Sequence, residues 1–177
     1  MSVFAGLSLM FGNPIYFDLR RSLTAHRGKL LFGAGTGTPV HAAAFIRQRT
    51  VVLETGLLSE AERLRLVLIH EVFHFVWVRL NNCQRRDFAD LLIDEMRGRA
   101  RGEMGESSGL KKQLVQDQAS LGLSSRLWRD YVCESFCDSA AALYSGVAAN
   151  EHFTLAERWA KRRYQWLLRI GEQGWKC

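Results

Sequence analysis

The hydrophobic and polar positions of the chain are patterned most clearly in residues 59–80. Between residues 64 and 78, apolar side chains would cover nearly all faces of a helix, which is typical of a helix buried in the middle of a domain. Ser59 and Glu62 form a capping-box pattern that predicts the start of this helix at Ser59. We expect the helix to reach about Leu80 and to end at Asn81-Asn82, because asparagine tolerates the left-handed backbone of helix ends.

Two short apolar and β-branched runs, residues 40–46 and 50–54, precede this helix and are separated by three polar residues. Such a pair predicts an antiparallel β-hairpin. Upstream, Gly33, Gly35 and Gly37 superficially resemble a phosphate-binding loop. No Gly-Lys-Ser/Thr follows them and no helical pattern opens there, which favours a flexible turn.

Further helical patterns follow the central helix, at residues 85–100, 111–121, 127–144 and 154–171. Ser124 or Ser125 can cap the third of these, and Thr154 with Glu157 makes a capping box for the fourth. The polar, glycine-interrupted residues 97–109 predict a mobile segment. The last helix is basic on one side and apolar on the other. This pattern indicates a solvated face over a core stripe rather than a membrane or nucleic-acid surface.

These patterns predict an α+β fold, mostly helical, in which a short antiparallel or mixed sheet packs on the central helix. A length of 177 residues fits one domain spanning residues 1–177. Hydrophobic residues at 47% and charged residues at 24% exclude wholesale disorder. The net charge of +6 points only weakly to acidic partners. No stretch approaches the roughly 20 apolar residues of a membrane span, and the apolar N-terminus lacks a basic leader pattern, so a cytoplasmic location is expected.

The chain contains four cysteines, Cys83, Cys133, Cys137 and Cys177. Their scattered positions favour free thiols in a reducing compartment. Cys133 and Cys137 are one helical turn apart, which leaves two alternatives open, a redox pair and a pair of soft metal ligands.

The central helix carries the sequence His70-Glu71-Val72-Phe73-His74, an HExxH pattern. Residues four apart lie on one helix face, so the two imidazoles can reach a single ion, while Glu71 is rotated by about 100° and can reach water beside it. Two core histidines are the alternative interpretation. A carboxylate in so hydrophobic a helix is costly unless something compensates it, which favours a metal. Zinc suits this donor set and requires one more protein ligand.

Glu134 is the best third ligand in the sequence. It belongs to a run of small and apolar residues in which an unpaired carboxylate would be expensive. Asp138 follows one turn later on the same face. Metal-bound histidines usually donate their second ring N–H to a carboxylate, and Asp138 suits that role.

The HExxH motif followed by Glu134-Ser135-Phe136-Cys137-Asp138 on a later helix resembles the signatures of the gluzincins, the thermolysin-like group of zincin metallopeptidases. The resemblance covers residues 40–142 and implies a minimal zincin-like domain. It also implies that the hairpin at residues 40–54 lies upstream of the active-site helix with an edge strand along the cleft.

Carried onto this chain, the resemblance implies specific roles for five residues. His70, His74 and Glu134 would hold Zn²⁺, Glu71 would be the general base, and Asp138 would orient a ligating histidine.

The chain departs from the family pattern in the long spacing of about 60 residues between His74 and Glu134, in being too short for the family's large C-terminal domain, and in lacking a matched stabiliser. Residues 1–39 would form an N-terminal cover or prosegment, and residues 81–123 would form a helical insert between the two metal-binding helices. The family's transition-state stabiliser has no motif match here. His152 is the candidate, and the tyrosines that follow or precede it are alternatives, namely Tyr131, Tyr144 and Tyr164.

The sequence therefore predicts a zinc-dependent peptidase that acts on a peptide or protein substrate. One alternative is a catalytically silent, zinc-bound module that binds a protein partner. Another is a nucleic-acid-associated protease or binder, whose affinity would fall steeply with salt. Its basic residues would be Arg97, Arg99, Arg101, Lys111, Lys112 and residues 158–163.

Overall fold

The computed structural model describes residues 7–10, 12–27, 29–33, 36–117 and 125–177. Gly35, Ser124 and the end of the helix predicted at 111–121 lie outside these ranges. The described part contains five α-helices, which are α1 (Ala61–Trp77), α2 (Asn82–Arg97), α3 (Glu106–Asp117), α4 (Arg126–Tyr144) and α5 (Glu157–Gly171). Its strands are β1 (Leu9–Met10), β2 (Tyr16–Arg20), β3 (Leu23–His26), β4 (Lys29–Phe32), β5 (Thr38–Val40), β6 (Ala42–Phe45), β7 (Thr50–Glu54) and β8 (Trp175–Lys176). The prediction of a mostly helical α+β fold is confirmed.

The strands form three small sheets. In the first, β7 pairs with β2 in parallel and with β6 antiparallel, so β6 is an edge strand. Strands β4, β3 and β5 make an antiparallel sheet, and β1 pairs in parallel with β8. The predicted hairpin is confirmed as β6 and β7, with Phe45 opposite Thr50. Its first strand is shorter than predicted, because the chain bends at His41 and Val40 belongs to β5.

Helix α1 crosses the middle of the fold and packs along α4, while β6 lies beside it. Phe73 of α1 is fully buried, with its ring centroid 5.6 Å from that of Phe136 and 5.4 Å from that of Trp175. Burial of one such side chain contributes about 1.5–3 kcal/mol. Ser135 and Ser139 on α4 are also fully buried, and their small size lets the two helices approach closely. This core fixes the position of α1, which carries the HExxH motif, relative to α4, which carries Glu134 and Asp138.

The start of α1 differs from the prediction. The helix begins at Ala61, and Glu60 at its N-cap makes no side-chain capping bond. Ser59 instead donates its hydroxyl to the carbonyl of Gly56, at 2.8 Å, within a 3-10 helix at Thr55–Ser59. The predicted capping box of Ser59 and Glu62 was wrong because a tighter local turn takes the hydroxyl.

The residues predicted to end α1 begin α2 instead. Helix α1 ends at Trp77, and Asn81 has an extended backbone. Its side chain accepts from the Gln84 backbone N–H, at 2.9 Å, and its own N–H donates to the Gln84 side chain, at 3.0 Å. This is a true capping box, so α2 begins three residues before the predicted start.

Of the later caps, one prediction was right and one was wrong. Ser125 accepts from the Trp128 N–H at 3.1 Å and caps α4 as predicted. Helix α5 begins after Ala156 without a side-chain cap. Thr154 is not its cap, because its hydroxyl accepts from the Glu103 N–H at 3.0 Å.

In the segment predicted to be mobile, residues 97–109, Ala100 is buried while Arg99 and Arg101 are exposed. Helix α3 begins within this segment at Glu106, earlier than predicted. Glu103 and Met104 are buried. Arg163 of α5 is fully buried with them and donates to Glu103 at 2.7 Å and to Glu95 of α2 at 3.0 Å. Lys112 of α3 lies 3.1 Å from Glu103. Thus a buried charge cluster of Arg163, Glu95, Glu103 and Lys112 joins α2, α3 and α5 through this segment.

The basic residues that the sequence assigned to a solvated face of α5 are exposed, namely Arg158, Lys161, Arg162 and Arg169. Trp166 and Leu167 on the other side are buried, as predicted. Among the described helices, none is both long enough and apolar enough to cross a membrane.

Candidate metal centre

The HExxH residues lie in the C-terminal half of α1, where the helix is most deeply enclosed. The register of α1 brings the Nε2 atoms of His70 and His74 to 3.2 Å from each other. From α4, Glu134 places Oε2 3.3 Å from Nε2 of His70 and 3.9 Å from Nε2 of His74. The three side chains are between 13% and 22% exposed, so the cluster is enclosed but accessible. Residues predicted to ligate one ion thus lie together, although they come from two helices.

The spacing of these atoms fits a tetrahedral ion. Two ligand atoms that are each about 2.0–2.1 Å from a zinc ion, at a tetrahedral angle, lie about 3.3 Å apart. The distances of 3.2 Å and 3.3 Å match this value, and the third needs only a small side-chain adjustment. Two imidazoles and one carboxylate also form a donor set used by catalytic zinc sites, which leave a fourth position open. The residues present therefore fit Zn²⁺.

Asp138 contacts the ring nitrogen of His70 that points away from the cluster. Its Oδ1 accepts a hydrogen bond from Nδ1 of His70 at 2.7 Å, and its Oδ2 accepts from the Ser108 backbone N–H at 2.8 Å. Because a carboxylate only accepts, Nδ1 carries a proton, which leaves Nε2, on the side of Glu134 and His74, as the ring nitrogen that can bind an ion. The predicted pairing of Asp138 with a motif histidine is present in the structure.

The charges of the cluster shift the pKa of His70 upwards and the pKa of Glu134 downwards, so that the charged form of each residue is favoured. Burial lowers the pKa of His70, but the charge and hydrogen bond of Asp138 outweigh it and raise that pKa well above its usual value. Burial raises the pKa of Glu134, but the hydrogen bond from His70 and the charge of His74 outweigh it, so this pKa is lowered. Without a metal, the site balances imidazolium against carboxylate. A divalent cation would take over the role of the imidazolium protons.

His74 has a partner that the sequence did not reveal. Its Nδ1 lies 3.6 Å from Sγ of Cys133, on the turn of α4 that carries Glu134. A hydrogen bond from Cys137 lowers the pKa of Cys133 to about 6, against the effect of burial. Burial raises the pKa of Cys137 well above its usual value. Each motif histidine therefore turns Nδ1 towards α4, His70 to a carboxylate and His74 to a thiol.

Glu71 lies next to His70 in α1 and is 8% exposed. Burial lowers the pKa of His74, but a hydrogen bond that its ring donates to Cys133, together with the charge of Glu71, raises it. The charge of Glu71 also raises the pKa of His70, after the larger effects of burial and Asp138. The Glu71 carboxylate thus acts on both histidines without being one of the clustered ligands.

A glycine supports Asp138 from the segment before α3. A Cβ atom added at Gly105 would overlap the carboxyl group of Asp138. The backbone of Gly105 and the first turn of α3, which supplies Ser108, therefore close over this side chain. The contacts of Gly105 and Ser108 with Asp138 could not be predicted from the sequence, because neither residue belongs to a recognisable motif. The segment predicted as an insert contributes directly to the surroundings of His70.

The candidate stabilisers His152, Tyr131 and Tyr144 have partners outside the cluster of His70, His74 and Glu134. His152 is exposed, with Nε2 3.7 Å from Glu151 and 3.9 Å from Glu106, and it lines a cavity of about 410 Å³ between α3 and the segment before it. None of the three clustered ligands lines this cavity. Tyr131 donates to Glu103 at 2.6 Å, and Tyr144 accepts from the Trp175 indole at 3.3 Å. Tyr164 is half-buried beside a small cluster of Ala100, Met104 and Leu155.

The described cysteines are free thiols, as predicted. Comparisons of the chain with family profiles, with curated proteins and with solved structures found no match. The interpretation of the site therefore depends on its own geometry and chemistry.

Proposed function

We propose that this protein is a zinc-dependent metallopeptidase that hydrolyses peptide bonds. The observation that supports the proposal is the convergence of His70, His74 and Glu134, with ligand atoms 3.2–3.9 Å apart, beside a buried Glu71. A buried carboxylate next to two clustered imidazoles would be unfavourable in a purely structural core. It is what metal-assisted hydrolysis requires.

In this proposal His70, His74 and Glu134 hold the ion. Bound zinc supplies Lewis acidity, which lowers the pKa of a water molecule towards about 7 and polarises the scissile carbonyl. The carboxylate of Glu71 takes a proton from the attacking water and delivers it to the amine nitrogen of the leaving group. Asp138 keeps the Nδ1 proton on His70 and so keeps Nε2 available as a ligand.

The substrate would be an extended peptide. Strand β6 is the edge of its sheet and lies beside α1. An edge strand presents unpaired backbone N–H and C=O groups, to which a peptide can add as a further strand. The four free thiols agree with a reducing, cytoplasmic setting, which we include in the proposal.

The test replaces Glu71 by glutamine. The Glu71→Gln protein should retain one zinc ion per chain, since Glu71 is not a ligand. Its hydrolysis of a peptide library should fall at least about 100-fold, since general base catalysis contributes about 10²–10⁴-fold. Glu62→Gln is the matched control, because Glu62 is an exposed glutamate in the first turn of the same helix.

Equal activity of Glu71→Gln and wild type would show that the assigned base is wrong. A folded, zinc-loaded wild type that cleaves no peptide but binds one protein partner would favour the catalytically silent module instead.

A further inference from the structure

A second group of potential ligands lies on the Nδ1 side of the His74 ring. Cys133 and Cys137, one turn apart on α4, face the same imidazole of α1. The ligand atoms of His74, Cys133 and Cys137 lie within 4.8 Å of one another. This group shares His74 with the first cluster but uses neither His70 nor Glu134.

The geometry of this group suits a bound ion. Sγ of Cys133 is 3.6 Å from Nδ1 of His74. Bonds of about 2.3 Å to sulfur and about 2.0 Å to nitrogen, at tetrahedral to trigonal angles, place the two ligand atoms about 3.5–3.7 Å apart. The Cys133 thiol and the imidazole are therefore spaced as a shared metal would require, and Sγ of Cys137 lies within 4.8 Å of both.

The chemistry of the donors indicates which ion would bind. Two thiolates and one imidazole suit thiophilic ions such as Cu(I) and Zn²⁺ and disfavour hard cations such as Mg²⁺. Cys137 is fully buried, whereas Cys133 is partly exposed and gives access from solvent. A site that is enclosed on one side and has only three protein ligands favours Cu(I), which accepts low coordination, over Zn²⁺, which takes a fourth ligand.

We propose that Cys133, Cys137 and Nδ1 of His74 form a second metal site, for a thiophilic monovalent cation of the Cu(I) type. On binding, each thiol that ligates the ion releases its proton to solvent, and no electron is transferred. This site does not depend on the proposed peptidase activity.

The two sites are coupled through one imidazole. A neutral imidazole has one N–H and one lone pair. If Nδ1 binds the thiophilic ion, Nε2 carries the proton and no longer serves the cluster with His70 and Glu134. Binding at one site therefore weakens binding at the other, and the effect is reciprocal. This consequence rests on the proposed zinc site, whereas the thiol site itself does not.

The first experiment titrates the reduced, full-length protein with Cu(I) under anaerobic conditions, in competition with bicinchoninate. We expect one tight Cu(I) per chain and a thiolate-to-copper charge-transfer band in the ultraviolet. Cys133→Ser should lose the band and bind Cu(I) at least about tenfold more weakly, as expected for loss of a ligand. Cys83→Ser, which removes an exposed thiol far along the chain, should behave as wild type.

Because Cys137 is buried, Cys137→Ala serves as the second variant, with circular dichroism to verify its fold. Retention of the wild-type band and affinity in both Cys133→Ser and Cys137→Ala would overturn the proposal. So would the absence of tight Cu(I) binding to wild type.

The second experiment tests the shared histidine. Protein loaded with one zinc ion is titrated with Cu(I), and released zinc is measured with a chromogenic chelator. Wild type should release its zinc as Cu(I) binds, while Cys133→Ser should retain it. If wild type retains zinc while the charge-transfer band forms, the coupling through His74 is wrong.

Glu134→Gln separates the two proposals. This variant should lose zinc and keep the Cu(I) band, because Glu134 belongs only to the first site. If wild type itself binds no zinc but shows the Cu(I) band, the proposed peptidase is refuted and the thiol site stands.

Discussion

Nδ1 of His70 and Oδ1 of Asp138 lie 2.7 Å apart, although the two residues are 68 positions apart in the chain. The same carboxyl group also accepts from the Ser108 N–H through its other oxygen, at 2.8 Å. Both oxygens of Asp138 are thus used, one for a potential zinc ligand and one for the first turn of α3. This double use makes Asp138 the residue best suited to test the surroundings of the proposed metal site.

Asp138→Asn should weaken zinc binding by about 10–100-fold, the usual effect of removing a hydrogen-bond partner of a metal ligand. Asparagine has one oxygen for two donors, so either His70 or the Ser108 N–H loses its acceptor. Zinc affinity is measured by competition with a chelator. Asp130→Asn, a partly exposed aspartate on the same helix, is the control, and equal affinities in the two variants would contradict the role of Asp138.

Gly105→Ala should also weaken zinc binding, because the added methyl group overlaps the Asp138 carboxyl and must displace it. Overpacking of this kind costs about 1–3 kcal/mol of stability. Gly109→Ala, in α3, is the control, because a Cβ there meets open space. That variant should gain roughly 0.5–1 kcal/mol from better helix propensity and bind zinc normally. Chelator competition and urea unfolding separate the two effects.

Arg163→Met should lower the free energy of unfolding by about 3–5 kcal/mol, because it leaves buried carboxylates without their main partner. Glu95 and Glu103 are both buried and both accept from this guanidinium. Arg162→Met removes the neighbouring arginine, whose 3.3 Å pair with Asp94 is exposed, and should cost under about 1 kcal/mol. Urea unfolding of the two variants would disprove the importance of the buried cluster if their midpoints shifted equally.

The free energy of unfolding should decrease as the pH is lowered, because Glu103 becomes protonated. Burial alone would raise the pKa of Glu103, but the charge and hydrogen bond of Arg163, with Lys112 and Tyr131, hold it at about 2. An unfolded glutamate titrates near 4.3, so the stabilisation is complete above about pH 4.3 and is lost as the pH falls towards about 2. The loss is on the order of 3 kcal/mol.

Glu103→Gln removes this titration. Its free energy of unfolding should therefore decline less steeply than that of wild type between about pH 4.3 and pH 2, although it is lower at neutral pH. Chemical unfolding at a series of pH values measures the difference. Parallel curves for the two proteins would show that Glu103 does not have a lowered pKa.

The parts of the site that could be predicted from the sequence are those fixed by helix periodicity. His70 and His74 share a face because they are four residues apart, and so do Glu134 and Asp138. A buried carboxylate needs a partner, which was enough to pair the two helices. The main features of the fold were predictable for the same reason, since α1, α4 and the hairpin of β6 and β7 have strong local patterns.

The parts that could not be predicted depend on long-range packing. Gly105 is needed only because α3 approaches Asp138, and Arg163 is buried only because Glu95 and Glu103 converge on it. The predicted helix starts were wrong where the expected capping hydroxyl forms a hydrogen bond with another group instead. The Ser59 hydroxyl bonds within a 3-10 helix, and Thr154 bonds to Glu103. The contact of Cys133 with His74 had a weak signal, since Cys133 is adjacent to Glu134 on the face that meets α1.

The bond from Ser108 to Asp138 means that α3 packs on a residue whose charge the proposed zinc site would use. Under the proposed function, zinc binding and the packing of this helix onto α4 would be coupled, because an ion that fixes His70 and Asp138 would also fix the acceptor of the Ser108 amide. Amide hydrogens at the start of α3 should exchange with solvent deuterium more slowly in zinc-loaded protein than in apo-protein. The helical segment between the two ligand motifs would thus report occupancy of the metal site at a distance from the ion.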